Sequence, residues 1–154
     1  MDNKRVAQLK ESLRAFKNDI DPKLVAKLDL EKCERIIDRL AGFSSECEIC
    51  EAYFTKLEKH LLQLFERNEA IDQQRVKAHS QFIGEIETHL IEEHDLITSG
   101  YYTSIYMSLG MGIGLLFGLV VFDNIGFGLP IGLAIGVAIG AGKDADAKKK
   151  GKTI

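Results

Sequence analysis

Seven side chains in this 154-residue sequence have the types and spacing that metal or thiol chemistry requires: Cys33, Cys47 and Cys50, with His60, His79, His89 and His94. Cys47-x-x-Cys50 is the sharpest pattern. Two thiols three residues apart at the start of a helix can share a metal ion, and the exposed N–H groups there can lower a thiol pKa for redox work. A zinc site would recruit Cys33 and one histidine to reach four ligands. The plainer reading is that Cys47 and Cys50 continue a seam with Phe54 and Leu57, where small apolar residues belong. Core packing is therefore the leading expectation for the cysteines, zinc or thiol sensing the alternative, and catalysis the least supported. His79 falls on an apolar stripe and is expected to be a buried histidine satisfied by a neighbour. Glu85, His89 and Glu93 stand four apart, so two carboxylates and an imidazole share a helical face, expected to be solvated. No Ser–His–Asp order, HExxH motif or phosphate-cradling loop occurs. No enzyme activity is expected, and no cofactor apart from the zinc alternative.

Helices must position these groups. The first is expected from Asp2 or Asn3 to about Lys17, with Val6, Leu9, Leu13 and Phe16 on one face. Asp21 as N-cap and Pro22 at the first helical position start a second, which carries Leu24, Val25, Leu28, Cys33, Ile36, Ile37 and Leu40 and stops at Gly42. Ser45 and Glu48 have capping-box spacing and predict a third helix from Ser44 or Ser45. Its Cys47, Cys50, Phe54, Leu57, Leu61 and Leu64 alternate spacings of three and four, the seam of a coiled coil. The phase is lost between Arg67 and Gln74, where a turn or kink is expected. It resumes as Val76, His79, Ile83, Ile86 and Leu90 in a fourth helix ending near Ser99–Gly100. Three cysteines are an odd number, which argues against a disulfide framework. The first sixteen residues contain no apolar signal-peptide region.

Mean hydropathy is near zero, but the charge is segregated. Residues 1–98 hold 15 Lys and Arg against 20 Asp and Glu, whereas 99–142 hold Asp123 as their one charge and most of the fourteen glycines. The last twelve residues hold five Lys and two Asp. Ser99–Phe122 is 24 uncharged residues and Asn124–Gly142 is 19; about 20 suffice for a helix to cross a bilayer. The fold class expected is all-α: a cytosolic helical bundle or coiled-coil-like hairpin (1–98), a transmembrane helical hairpin (99–142, spans about 101–122 and 126–142) and a Lys-rich tail (143–154). Asp123 would be the solvated tip, or Pro130 would open the second span after a longer loop through Leu129. Two spans put both termini on one side, and Lys148–Lys150 with Lys152 mark it as cytoplasmic. Tyr101, Tyr102 and Tyr106 would form an interfacial belt.

Gly110, Gly114 and Gly118 recur every four residues in the first span, and Gly128, Gly132, Gly136 and Gly140 do so in the second. Small residues let lipid-embedded helices approach closely, within one hairpin or, through Gly112 and the Ala134/Ala138 row, between copies. On these residues Met107–Ile154 resembles the glycine-zipper hairpins of small bacterial membrane proteins, many of which carry a DNIG turn like Asp123–Gly126. The resemblance covers about a third of the chain and implies a bacterial inner membrane but no defined activity. His89–Tyr102 (HLIEEHDLITSGYY) faintly resembles a hemerythrin-type ligand helix, but the later histidine pair a diiron site needs is absent. The function expected is a membrane-anchored interaction, scaffold or regulatory protein. Its partners would be the lipid bilayer and a second copy or another membrane or cytosolic protein, not nucleic acid. A zinc- or thiol-responsive sensor using Cys33, Cys47 and Cys50 and a homo-oligomeric pore are the alternatives.

Overall fold

The computed structural model describes residues 3–66, 71–121 and 124–154. These form seven helices and no strand: α1 (Asn3–Asp19), α2 (Pro22–Leu28), α3 (Leu30–Phe43), α4 (Glu48–Glu66), α5 (Gln73–His94), α6 (Tyr101–Val121) and α7 (Ile125–Lys149). The chain is all-α, as its periodicity requires. It divides into two compact units, one running to His94 and taking in Ile154, the other Asp95–Thr153.

In the first unit the apolar seams become the core. Leu9, Leu13 and Phe16 of α1 are buried with Leu30, Cys33, Ile36, Ile37 and Leu40 of α3, and α4 adds Cys50, Phe54, Leu57, Leu61 and Leu64. His79, Ile83, Ile86 and Leu90 complete it from α5. Helix α3 is central and touches α1, α4 and α5. Helix α1 lies antiparallel to α3, because Lys10 pairs with Asp38 (2.8 Å), Arg14 with Glu34 and Lys17 with Glu31 (2.9 Å). Solvent screens such exposed pairs, so each contributes little beside the roughly 1.5–3 kcal/mol of one buried leucine. They fix register while the core holds the unit together.

Three helix boundaries differ from those expected. Asp21 does cap α2, accepting from Lys23 N at 2.7 Å. The helix then breaks at Asp29, which has φ 45°, and the Asp29 carboxylate caps α3 by accepting from Lys32 N at 3.3 Å. Aspartate is one of the few side chains that enters the left-handed region. The break has a packing cause. Leu28 and Leu30 are both buried, yet an unbroken helix would point them about 200° apart. The capping box at Ser45 does not form: Ser44 closes α3, its hydroxyl donating to Ala41 O at 2.9 Å, and α4 begins at Glu48. Helix α5 stops at His94, where Asp95 has φ 50°, rather than continuing to Ser99. Its start is separate from α4, with Asp72 Oδ1 accepting from Arg75 N at 2.8 Å. Within the expected turn or kink, residues 67–70 lie outside the described residues, as do Asp2, Phe122 and the expected hairpin tip Asp123.

In the second unit α6 and α7 run antiparallel. Asn124 caps α7 through its side chain, which accepts from Gly126 N at 2.9 Å. Pro130 therefore sits inside α7 rather than in its first turn, and the longer loop through Leu129 does not form. Helix α7 also carries helical structure through the Lys-rich tail to Lys149. At the other end of the unit, Ile97 N donates to Lys152 O at 2.9 Å. There the Asp144 carboxylate accepts from Tyr102 N (3.0 Å), Thr103 N (2.9 Å) and the Thr103 hydroxyl (2.6 Å), capping the first turn of α6.

The double duty of Asp29 makes it a sensitive position. Asp29→Ala removes the α3 cap and forces a Cβ-bearing, non-bonding residue into the left-handed region, for a loss of about 1–3 kcal/mol. Asp29→Gly relieves the backbone and loses only the side-chain cap. Equilibrium unfolding should therefore rank wild type above Asp29→Gly above Asp29→Ala.

Candidate functional site

The turn between α3 and α4 and the last two turns of α5 bring four chemistry-bearing side chains together. Cys47 sits just before α4, its carbonyl accepting from Glu51 N at 3.3 Å, and Cys50 lies in the first turn. His89 and His94 come from the C-terminal end of α5. Cys50 Sγ stands 3.1 Å from His94 Nε2 and 3.4 Å from His89 Nε2, and Cys47 Sγ is 3.6 Å from His89 Nε2. One potential ligand atom from each of the four residues lies within 4.8 Å of the others. Aromatic rings restrain both imidazoles: Phe43 stacks on His94 with centroids 4.0 Å apart, and Tyr53 lies 5.4 Å from His89. Cys50 is fully buried and the other three are half-buried. Burial pushes the Cys50 thiol up to about 12, with the neighbouring Cys47 adding to the rise. Two thiols and two imidazoles meeting at one point can hold a soft or borderline cation.

The three cysteines do not act as one group. Cys33 lies in the core against a different histidine, with its Sγ 3.6 Å from His79 Nε2 and 3.8 Å from Leu28 O. His79 Nε2 donates to Leu28 O at 3.0 Å, so Nδ1 is the acceptor for His60 Nε2–H at 2.9 Å. The Leu28 carbonyl is the last of α2, stranded by the break at Asp29 and buried. His79 supplies its missing donor, and that accounts for a histidine on an apolar stripe. Burial pushes the Cys33 thiol up to about 12, and the charge of Asp29 adds to this. Glu85 and Glu93 stay exposed while the His89 ring turns toward sulfur, so the Glu85/His89/Glu93 face gathers no ligand set. The sequence reading missed His94 as a partner of the cysteines. It stands five positions after His89, off the three-or-four spacing of a helical face, although Cys-x2-Cys followed by His-x4-His is a zinc-type spacing.

The second candidate feature is the α6–α7 seam, and all seven glycines named from the sequence lie in it. A Cβ on Gly114 would stand 2.5 Å from Gly128 O, and one on Gly140 would stand 2.5 Å from Thr103 Cα. On Gly110, Gly128, Gly132 or Gly136 it would come closer still to backbone of the facing helix, and on Gly118 it would meet backbone at 3.1 Å. Gly112 has nothing within 4 Å and faces outward, as do Ala134 and Ala138. Lys143 reaches back over the Tyr102 and Tyr106 rings at 5.8 and 5.5 Å. The large apolar side chains point away from the seam: Val120 is 78% exposed, Leu116 65% and Phe127 62%.

Two outcomes are expected. Gly132→Leu must push the helices apart and cost at least the 1–3 kcal/mol typical of overpacking, roughly, whereas Gly112→Leu leaves hairpin stability unchanged; unfolding in mixed micelles compares them. Burial holds His79 below the ordinary histidine pKa, the Leu28 bond offsetting only part, and burial likewise lowers His60. The unfolded chain therefore takes up protons first as pH falls through about 6.5. Stability contributed by these residues is complete above that value and is lost as pH drops toward their lower folded-state values. The slope is at most about 1.4 kcal/mol per pH unit for each histidine, and His79→Gln, which retains a donor, should flatten it in denaturation series. No family model, curated protein or solved structure matches this chain.

Proposed function

We propose that this chain is a non-enzymatic, membrane-anchored helical protein, in which the α6–α7 hairpin fixes the helical unit to a bacterial inner membrane as an interaction or regulatory module. The observation that carries the reading is the inverted packing of the hairpin, with glycine inside and leucine, isoleucine, valine and phenylalanine outside. Among the described residues, the exposed large apolar side chains lie on α6 and α7 except for Ile49, Leu62 and Ile91. At about 1.5–3 kcal/mol for each side chain removed from water, the set amounts to tens of kcal/mol. That exceeds the roughly 5–15 kcal/mol that holds a domain folded. Hydrocarbon relieves the exposure, and both helices are long and apolar enough to cross it.

Further support comes from the end of the unit where Ile97 meets Lys152. The tyrosines Tyr101, Tyr102 and Tyr106 belong at a membrane interface, Lys143 folds over two of them, and the lysines beyond favour the cytoplasmic side. The outward small residues Gly112, Ala134 and Ala138 offer close approach to another spanning helix, from a second copy or a membrane partner. The helical unit, with its dense surface charge, supplies the cytosolic contact surface.

Expressed in a bacterium, the chain should pellet with membranes and resist alkaline carbonate. A C-terminal green fluorescent fusion should fluoresce, and a C-terminal alkaline phosphatase fusion should be inactive. Release by carbonate sinks the anchoring, and an active phosphatase fusion sinks the cytoplasmic orientation.

A further inference from the structure

We propose that Cys47, Cys50, His89 and His94 form a closed, tetrahedral site for one zinc ion, which clamps the turn before α4 to the end of α5. A zinc ion with bonds of about 2.3 Å to sulfur and 2.0–2.1 Å to nitrogen requires sulfur–nitrogen edges of about 3.6 Å in a tetrahedron. The observed separations are 3.6, 3.4 and 3.1 Å, and the four donors fit within 4.8 Å. Three of the six edges thus lie within about half an ångström of a coordination shell. The widest pair of donors, at up to 4.8 Å, must close by about 1 Å, which side-chain rotation supplies.

The other Cys/His group in the same unit provides an internal contrast. Around Cys33, the histidine nitrogens are engaged by a carbonyl and by a second imidazole, as hydrogen bonding in a core demands. Around Cys47 and Cys50, two Nε2 atoms from one helix end converge on the sulfurs. A thiol is a weak hydrogen-bond partner, so packing alone gives little reason for this convergence. Two thiolates with two imidazoles in tetrahedral array are a zinc set rather than a calcium or magnesium set. All four positions are filled by protein, which leaves none for water or substrate and makes the ion a structural clamp instead of a hydrolytic centre.

The clamp has a defined place in the chain. His94 is the final residue of α5, and Asp95 turns the backbone out of the helix. The ion therefore pins the residue from which the chain leaves the helical unit, and ties it to a turn more than 40 residues earlier. This assignment does not depend on where the hairpin resides.

The test is metal analysis of the full chain, solubilised in detergent and purified under reducing conditions without chelator, followed by cobalt(II) titration of the metal-stripped protein. About one zinc per chain is expected, together with the visible bands of tetrahedral cobalt and a thiolate charge-transfer band. Cys50→Ser and His89→Ala should each lower the zinc content at least about tenfold, while Cys33→Ser retains it. A helical wild-type chain that carries no zinc and gives no tetrahedral cobalt spectrum overturns the site. So does full zinc retention in Cys50→Ser, or a Cys47–Cys50 disulfide that persists under reduction. Because the cobalt spectrum is read on wild type, a variant that fails to fold leaves the test intact.

Discussion

The closeness of α6 and α7 determines most of what the second unit can be. Backbone meets backbone at Gly114 and Gly128, and again at Gly110 and Gly132, so no side chain has room on the facing surfaces. Every large side chain on these helices must then point outward. A pair packed this way has no hydrophobic interior and gains its attraction from dispersion and weak Cα–H···O contacts over the matched surfaces. Such forces suffice only where the outward side chains are not penalised by water. The same contact sets the register that brings Asp144 level with the start of α6, where its carboxylate meets three donors. Mutual approach, apolar exterior and polar closure at one end therefore follow from two facing runs of glycines.

The first unit obeys the opposite rule, with apolar side chains inside and charges along the outside. Among its described residues the left-handed backbone occurs at Asp29, and that irregularity propagates inward. Turning there lets Leu28 and Leu30 both enter the core, but it strands the Leu28 carbonyl. A buried acceptor without a donor costs about 1–3 kcal/mol, and His79 meets that need while His60 fixes its tautomer. Burial favours the neutral imidazole in this arrangement, with His79 Nδ1 free to accept from the His60 N–H.

The periodic features were legible in the sequence. Seams at three- and four-residue spacing located the cores of α1, α3, α4 and α5, and glycines at every fourth position located the surfaces on which α6 and α7 meet. Boundaries were less legible where a local signal competed with packing. Between Pro22 and Gly42 no glycine or proline announces the break at Asp29, and only the demand to bury both Leu28 and Leu30 produces it. At Ser45 a good capping sequence gave way because Ser44 completes α3. Contacts remote in sequence were not legible at all: Asp144 looked like part of a soluble tail, and no helical periodicity links His94 to Cys50.

The two Cys/His groups show why residue type alone does not define a site. Both contain thiol and imidazole, both lie in the same unit, and burial pushes a thiol up to about 12 in each. They differ in what the imidazole nitrogens face. His79 Nε2 also lies 3.6 Å from Cys33 Sγ, but its two nitrogens are committed to a carbonyl and to His60, whereas His89 and His94 present Nε2 to sulfur. They stand at a helix end, where the chain has stopped making its own regular hydrogen bonds. A cross-link is most useful there, because the last turn of α5 is the part of that helix least held by its own ladder. Four donors gathered where α5 ends, beside the turn that begins α4, can restrain the junction at the start of the α4 seam and beyond Leu90, the last buried residue of the α5 stripe.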